Sequence, residues 1–172
     1  MGGSFDEVFE RYQRRIFTLA VYTLANREEA EEVTQDVLVK VWRRGGEVPA
    51  DGRLAWALRV TRNACIDRIR RRAAARSVAL DAGGLPEILA AAGPGPEERA
   101  RNRVLRRRLV SALGELEEPY RSALILREVQ GLSYREVADT LELPLNTVRV
   151  HIHRGRRKLR DELREVYADV AS

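Results

Sequence analysis

LSYREVADTLELPLNTVRVHIHRGRRKLR, residues 132–160, has the form of a short helix, a tight turn and a longer helix. Ser133 stands three residues before Glu136, the spacing at which hydroxyl and carboxylate close a capping box over the first free amides of a helix. Val137, Ala138 and Leu141 then supply an apolar stripe. Leu143-Pro144 breaks the run, and Pro144 suits the first turn of the next helix, where its missing N–H is not needed. At about 100° per residue, Val148, Ile152, Gly155, Leu159 and Leu163 share one side of that helix. Asn146, Arg149, Val150, His153, Arg154 and Arg157 spread over the other. A short helix buttressing a second one with a basic, hydrogen-bonding outer face is a helix-turn-helix pattern, whose second helix enters the DNA major groove. An ordinary helical hairpin with a solvated charged face is the competing reading. The coincidence of cap, turn and one-sided Arg/Asn/His face favours DNA binding.

The rest of the chain agrees with a polyanionic partner. A net charge of +5 on 172 residues is carried almost wholly by arginine, since Lys40 and Lys158 are the only lysines. Charge alone does not separate nucleic acid from a membrane surface. No apolar run approaches the roughly 18 residues of a membrane span, and MGGSFDEVFE lacks the basic and apolar regions of a signal peptide. Membrane insertion is therefore not expected, and the chain reads as cytoplasmic. Cys65, the single cysteine, excludes an intramolecular disulfide and a cysteine-based metal site, and its simplest role is as a small packed residue.

From the N-terminus, Ser4 and Glu7 form a capping box for a helix ending near Ala25. Phe5, Phe9, Tyr12, Ile16, Leu19 and Thr23 recur along it at helical steps. Asn26 and Glu29 repeat the signal for a second helix to about Arg44, whose acidic start suits the positive end of the helix dipole. Ala30, Val33, Val37 and Val41 form its buried stripe, which leaves Glu32, Gln35, Asp36 and Val39 on other faces. A loop marked by Gly45, Gly46, Pro49 and Gly52 precedes a third helix from about Arg53 to Ala75. Leu54, Leu58, Thr61, Cys65 and Ile69 line one side of it. Trp56, Arg59, Asn63, Asp67 and Arg70 line another, with Arg62 and Ile66 adjacent. Single-stranded bases require such a set: a ring to stack on, guanidinium groups for phosphates and an amide for a base edge. Equally, Trp56 can be core and the arginines solubilising; the stripe alone does not decide.

Residues 77–96 change character. They contain no Lys or Arg but four of the twelve glycines and three of the six prolines, the composition of a linker. Helical periodicity resumes at Glu97 through Val104, Leu105, Leu109, Ala112, Leu113 and Leu116. Pro119 opens a further helix with Tyr120, Ala123, Leu124 and Leu126 on its apolar side, and Gly131 as its C-cap. No stretch reads as a strand. The expected architecture is all-α, in two small helical domains at 1–76 and 97–172 joined by a flexible linker.

Catalysis finds no support. His151 and His153 diverge by about 200° on one helix, so they cannot chelate one metal together. There is no glycine-rich phosphate loop and no nucleophile with an evident base. Neither a cofactor nor a metal is expected.

Three stretches carry a resemblance. Residues 30–42 (AEEVTQDVLVKVW), 54–72 (LAWALRVTRNACIDRIRRR) and 113–160 resemble, in family order, regions 2.2, 2.3–2.4 and 4 of the extracytoplasmic-function (group IV) sigma factors of the bacterial sigma-70 family. The resemblance implies a transcription initiation factor rather than an enzyme. Its partners would be core RNA polymerase (the β′ clamp helices and β flap), promoter DNA and an anti-sigma factor. It would place Glu32, Gln35 and Asp36 at the clamp. Trp56, Arg59, Arg62 and Asn63 would engage the −10 element, and the glycine-marked loop before them would capture a flipped base. Asn146, Arg149, Val150, His153 and Arg154 would lie at −35. The chain departs from the family at Leu145-Asn146, commonly a small residue and glycine, at Val150, often serine, and at His151, often arginine. Gly155 replaces the usual alanine, so looser packing is expected there. A stand-alone helix-turn-helix regulator with an N-terminal dimerising or sensing bundle is the alternative; it leaves the Trp56–Arg70 stripe without a role.

Overall fold

The computed structural model describes residues 5–76 and 95–170. Among them are seven α-helices and no strand. They are α1 (Phe5–Leu24), α2 (Arg27–Arg44), α3 (Arg53–Arg76), α4 (Pro96–Glu115), α5 (Tyr120–Leu124), α6 (Tyr134–Leu141) and α7 (Leu145–Val170). The all-α expectation holds. Most of the linker stretch, 77–94, lies outside the described residues, as does the Ser4 cap. Pro96 is already the first residue of α4, behind Gly95 as N-cap.

The first half is a bundle of α1, α2 and α3. α1 buries Ile16, Leu19 and Thr23 as the spacing predicts, and also Ala20, Val21, Tyr22 and Leu24. The face is wider than one stripe because α2, α3 and α4 all pack on this helix. Each fully buried Leu or Ile contributes about 1.5–3 kcal/mol relative to exposure. Ala25 turns the corner in the left-handed region (φ 51°), and the Asn26 side chain accepts the Glu29 N–H at 3.0 Å to start α2. Only half of the predicted capping box forms. The Glu29 carboxylate is taken instead by Arg72 of α3, whose Nε donates to it at 3.0 Å while Nη1 donates to the Leu24 carbonyl at 3.1 Å. One guanidinium thus ties the α1–α2 corner to α3.

In the second half α4 differs from expectation. Leu113, Ala112 and Leu116 are buried, with Val110, but Val104 and Leu105 are exposed. The helix packs on α1 and α7 along its C-terminal part, where the buried residues lie. Pro119 and Pro144 each sit at the N-cap, one residue earlier than the first-turn position expected, and their carbonyls accept the first helical N–H from Ala123 and Val148 at 3.1 Å. α5 widens into a π-helical turn, Ile125–Val129. Gly131 at φ 71° then lets the Leu132 N–H reach the Leu126 carbonyl at 3.1 Å, a left-handed position that glycine occupies without strain.

The halves share one continuous buried cluster, running from Ile16 and Leu58 to Leu124 and Ile152. Across the junction Arg15 Nη1 donates to the Gln130 carbonyl at 3.1 Å, and Gln130 Nε2 donates back to the Arg15 carbonyl at 2.7 Å. α3 lies against α6.

Candidate nucleic-acid interfaces

The helix-turn-helix forms as its sequence dictates. Ser133 Oγ accepts the Glu136 N–H at 3.2 Å and the Glu136 carboxylate accepts the Ser133 N–H at 2.7 Å, closing the capping box of α6. That backbone bond, then the bond from the hydroxyl, hold the Glu136 carboxyl below its ordinary pKa. Val137 and Ala138 are buried, and α6 ends at Glu142 in the left-handed region (φ 54°, ψ 43°). α7 then turns Val148, Ile152 and Gly155 inward. The opposite face presents Asn146, Arg149, Val150, His153 and Arg154, all exposed. Arg149 Nη1 rests 3.4 Å from Asn146 Oδ1, a long bond that leaves both groups available for base edges. Burial, and then the Arg154 charge, press His151 below its ordinary pKa, and its ring packs edge-on against Tyr120 at 5.6 Å. His151 is thus a neutral packing residue between α7 and α5, apart from the His153 face.

The second candidate surface lies on α3. Leu58, Thr61 and Cys65 are buried, with Ala57, as the spacing predicts. Asn63, Asp67 and Arg70 are exposed and Trp56, Arg59 and Arg62 half-buried. Trp56 is both things the sequence left open, packed against the core yet lining a hollow of about 450 Å³ with Val60, Lys40, Arg43 and Arg44. Those three cations of α2 were not singled out in the sequence. Arg43 and Arg44 form the basic last turn of α2, one turn beyond Lys40, and the folded chain sets them beside α3. A tryptophan ring edged by three cations suits a stacked base with its phosphates. Arg59 and Arg62 are engaged elsewhere: Arg59 pairs with Glu142, and Arg62 donates to Ser122 Oγ at 3.0 Å with Glu118 3.6 Å away.

On α2, Gln35 and Asp36 are exposed, and Val39 and Trp42 beside them are exposed apolar residues. Glu32 is exposed as well, but Arg68 of α3 donates to its carboxylate at 2.6 Å. The three residues share a face; two of them are without such a tie among the described contacts. The loop before α3 contains a short 3₁₀ turn, Gly45–Glu47, with Arg53 donating to the Val48 carbonyl at 3.2 Å.

Among the described residues no group of three or more His, Cys, Asp or Glu side chains could hold a metal ion, and no helix is long and apolar enough to cross a membrane. Cys65 is buried, which pushes its thiol up to about 12.

Comparison with known proteins identifies the family. The family description Sigma-70 region 2 matches residues 8–75, and Sigma-70, region 4 matches residues 106–159. The chain is 35% identical to the ECF RNA polymerase sigma factor SigE of Mycolicibacterium smegmatis over 98% of its own length, and spans 65% of SigE. It is 30% identical to the RNA polymerase sigma factor CarQ of Myxococcus xanthus, covering 98% of this chain and 94% of CarQ. Among solved structures, the fold is similar to the sigma factor RpoE in complex with the anti-sigma factor NepR from Bartonella quintana (TM-score 0.73, 20% identity, 93% and 96% coverage). It is also similar to CnrH in complex with the cytosolic domain of CnrY (TM-score 0.65, 25% identity, 94% and 88% coverage). With both sigma-70 regions matched in order and relatives aligned along almost its whole length, the chain belongs to the extracytoplasmic-function sigma factors of the sigma-70 family, noncatalytic initiation factors that direct RNA polymerase to promoters.

Proposed function

We propose that this sigma factor grips its promoters at two places and its polymerase at a third. The exposed α7 face of Asn146, Arg149, Val150, His153 and Arg154 reads the −35 element as duplex. Trp56, Arg59, Arg62 and Asn63 engage the −10 element and trap its unpaired bases. Unstacking a base costs only a few kcal/mol, which stacking and pocket contacts offset. Glu32, Gln35 and Asp36 meet the β′ clamp helices, and the second half meets the β flap. The chain acts in the cytoplasm, in units bounded near residues 76 and 97, and an anti-sigma factor holds it in reserve. Similarity to two sigma factors solved with such partners supports this last point.

The observation that carries the reading is the division of α7. Val148, Ile152 and Gly155 are buried against the second half, while every α7 residue proposed to read the −35 element is exposed. Purified protein mixed with core polymerase is expected to bind it and to give promoter-dependent transcription. Tight binding to palindromic DNA without any binding to core would overturn the reading.

A further inference from the structure

The proposed −10 arginines are held by the other half of the same chain. Arg59 pairs with Glu142, the residue in the turn of the helix-turn-helix, and Arg62 donates to Ser122 Oγ at 3.0 Å beside Glu118. Ser122 in turn donates to Glu118 Oε2 at 2.6 Å, so hydroxyl and carboxylate form one acceptor site around the guanidinium. Only 28% of the Arg59 side chain and 22% of the Arg62 side chain remain exposed. Two carboxylates therefore occupy guanidinium groups that donate equally well to phosphate oxygens. The reciprocal Arg15–Gln130 bonds brace the same junction from α1. Asn146, Arg149 and His153 stay exposed. The two DNA-reading faces are thus unequally available, one open and one covered.

We propose that the chain latches shut on itself, with Glu118, Ser122 and Glu142 covering Arg59 and Arg62, so that the free protein presents its −35 face and withholds its −10 face. The inference rests on reading Arg59 and Arg62 as −10 contacts. Partly exposed ion pairs hold weakly and are screened by salt. Together with the buried residues that the halves share, these pairs close the free chain, and the closure yields to a partner with more surface to offer, as population shift requires.

The test uses the full chain alone. Small-angle scattering gives its radius of gyration, and fluorescence anisotropy its affinity for a labelled single strand of about twelve thymines. Glu118→Gln with Glu142→Gln is expected to raise the radius and to strengthen strand binding roughly three- to tenfold, as the two arginines become free for phosphates. Glu10→Gln with Glu97→Gln makes the same change in net charge at two exposed positions outside α3, α5 and α6 and is expected to alter neither reading. Arg59→Glu with Glu142→Arg restores an opposite-charge pair and is expected to keep the parent radius, which separates latching from misfolding. An unchanged radius in the Glu118→Gln/Glu142→Gln variant overturns the latch and leaves the −10 reading untouched. A larger radius with unchanged strand affinity overturns the masking, and with it the assignment of Arg59 and Arg62 to the strand.

Discussion

Gly155 and Leu124 lie so close that a β-carbon on Gly155 would stand 3.0 Å from Leu124 Cγ and 3.2 Å from its Cδ1. Leu124 is buried. The looser packing expected where glycine replaces the family's alanine is therefore not found. Glycine here lets α5 cross α7 closely, and that crossing seats α7. Gly155→Val is expected to destabilise the protein by about 1–3 kcal/mol through overpacking. Gly155→Ala gains up to about 1 kcal/mol of helix propensity against a smaller clash, so its loss is less. Thermal or urea unfolding of the two variants checks the order.

The capping box predicts a mutation and a pH effect. Ser133→Ala removes the acceptor of the Glu136 N–H and is expected to cost about 0.5–2 kcal/mol. Glu136 has a lowered pKa in the folded protein. Its contribution is therefore present above the ordinary carboxylate value and lost as pH falls through the folded value. Unfolding midpoints measured down an acid series are expected to fall less steeply in Glu136→Gln than in the parent.

The two proposed DNA surfaces are expected to fail separately. Arg149→Ala removes an exposed guanidinium with no buried role. It is expected to weaken −35 recognition by about 1–3 kcal/mol while leaving core binding intact. Asn63→Ala, also exposed, is expected to slow promoter opening by the holoenzyme without altering duplex −35 affinity. Gel shifts on −35 duplex and permanganate footprinting of the melted −10 bases read the two effects. Loss of core binding by Arg149→Ala would mark the residue as structural.

Cys65 is predicted to be inert. Only the thiolate reacts, and burial keeps the thiol protonated far above neutral pH. A thiol reagent such as Ellman's is expected to find no reactive group in the native protein at pH 7 and one after denaturation. Rapid native labelling would mean that α3 opens.

The helices were legible wherever a local signal fixed them. Asn26 and Ser133 announce α2 and α6 by capping chemistry that acts within three residues, and the stripe of α7 follows from its own period. Val104 and Leu105 show where that logic stops. Periodicity marks a face that can be buried, but whether another helix reaches it depends on the path of the chain, and α4 is covered only along its C-terminal part. The π-helical turn at Ile125–Val129 and the half-used capping box at Asn26 were equally out of reach, because a shift of register or a carboxylate captured from 43 residues away leaves no trace in spacing. Arg59 and Arg62 were found as candidates from composition and stripe. Their partners Glu142 and Glu118 were not, since ion pairs between distant segments have no period to read.

Glu142 bears two duties that conflict. Its backbone is left-handed, a conformation that disfavours residues with a β-carbon by about 1–2 kcal/mol and suits glycine. Its side chain supplies the carboxylate for Arg59. Glycine at this position would relax the turn and steady the second half while releasing the first. A better-folded turn would make a less restrained protein, so selection for thermal robustness and selection for silence in the free state pull this residue in opposite directions.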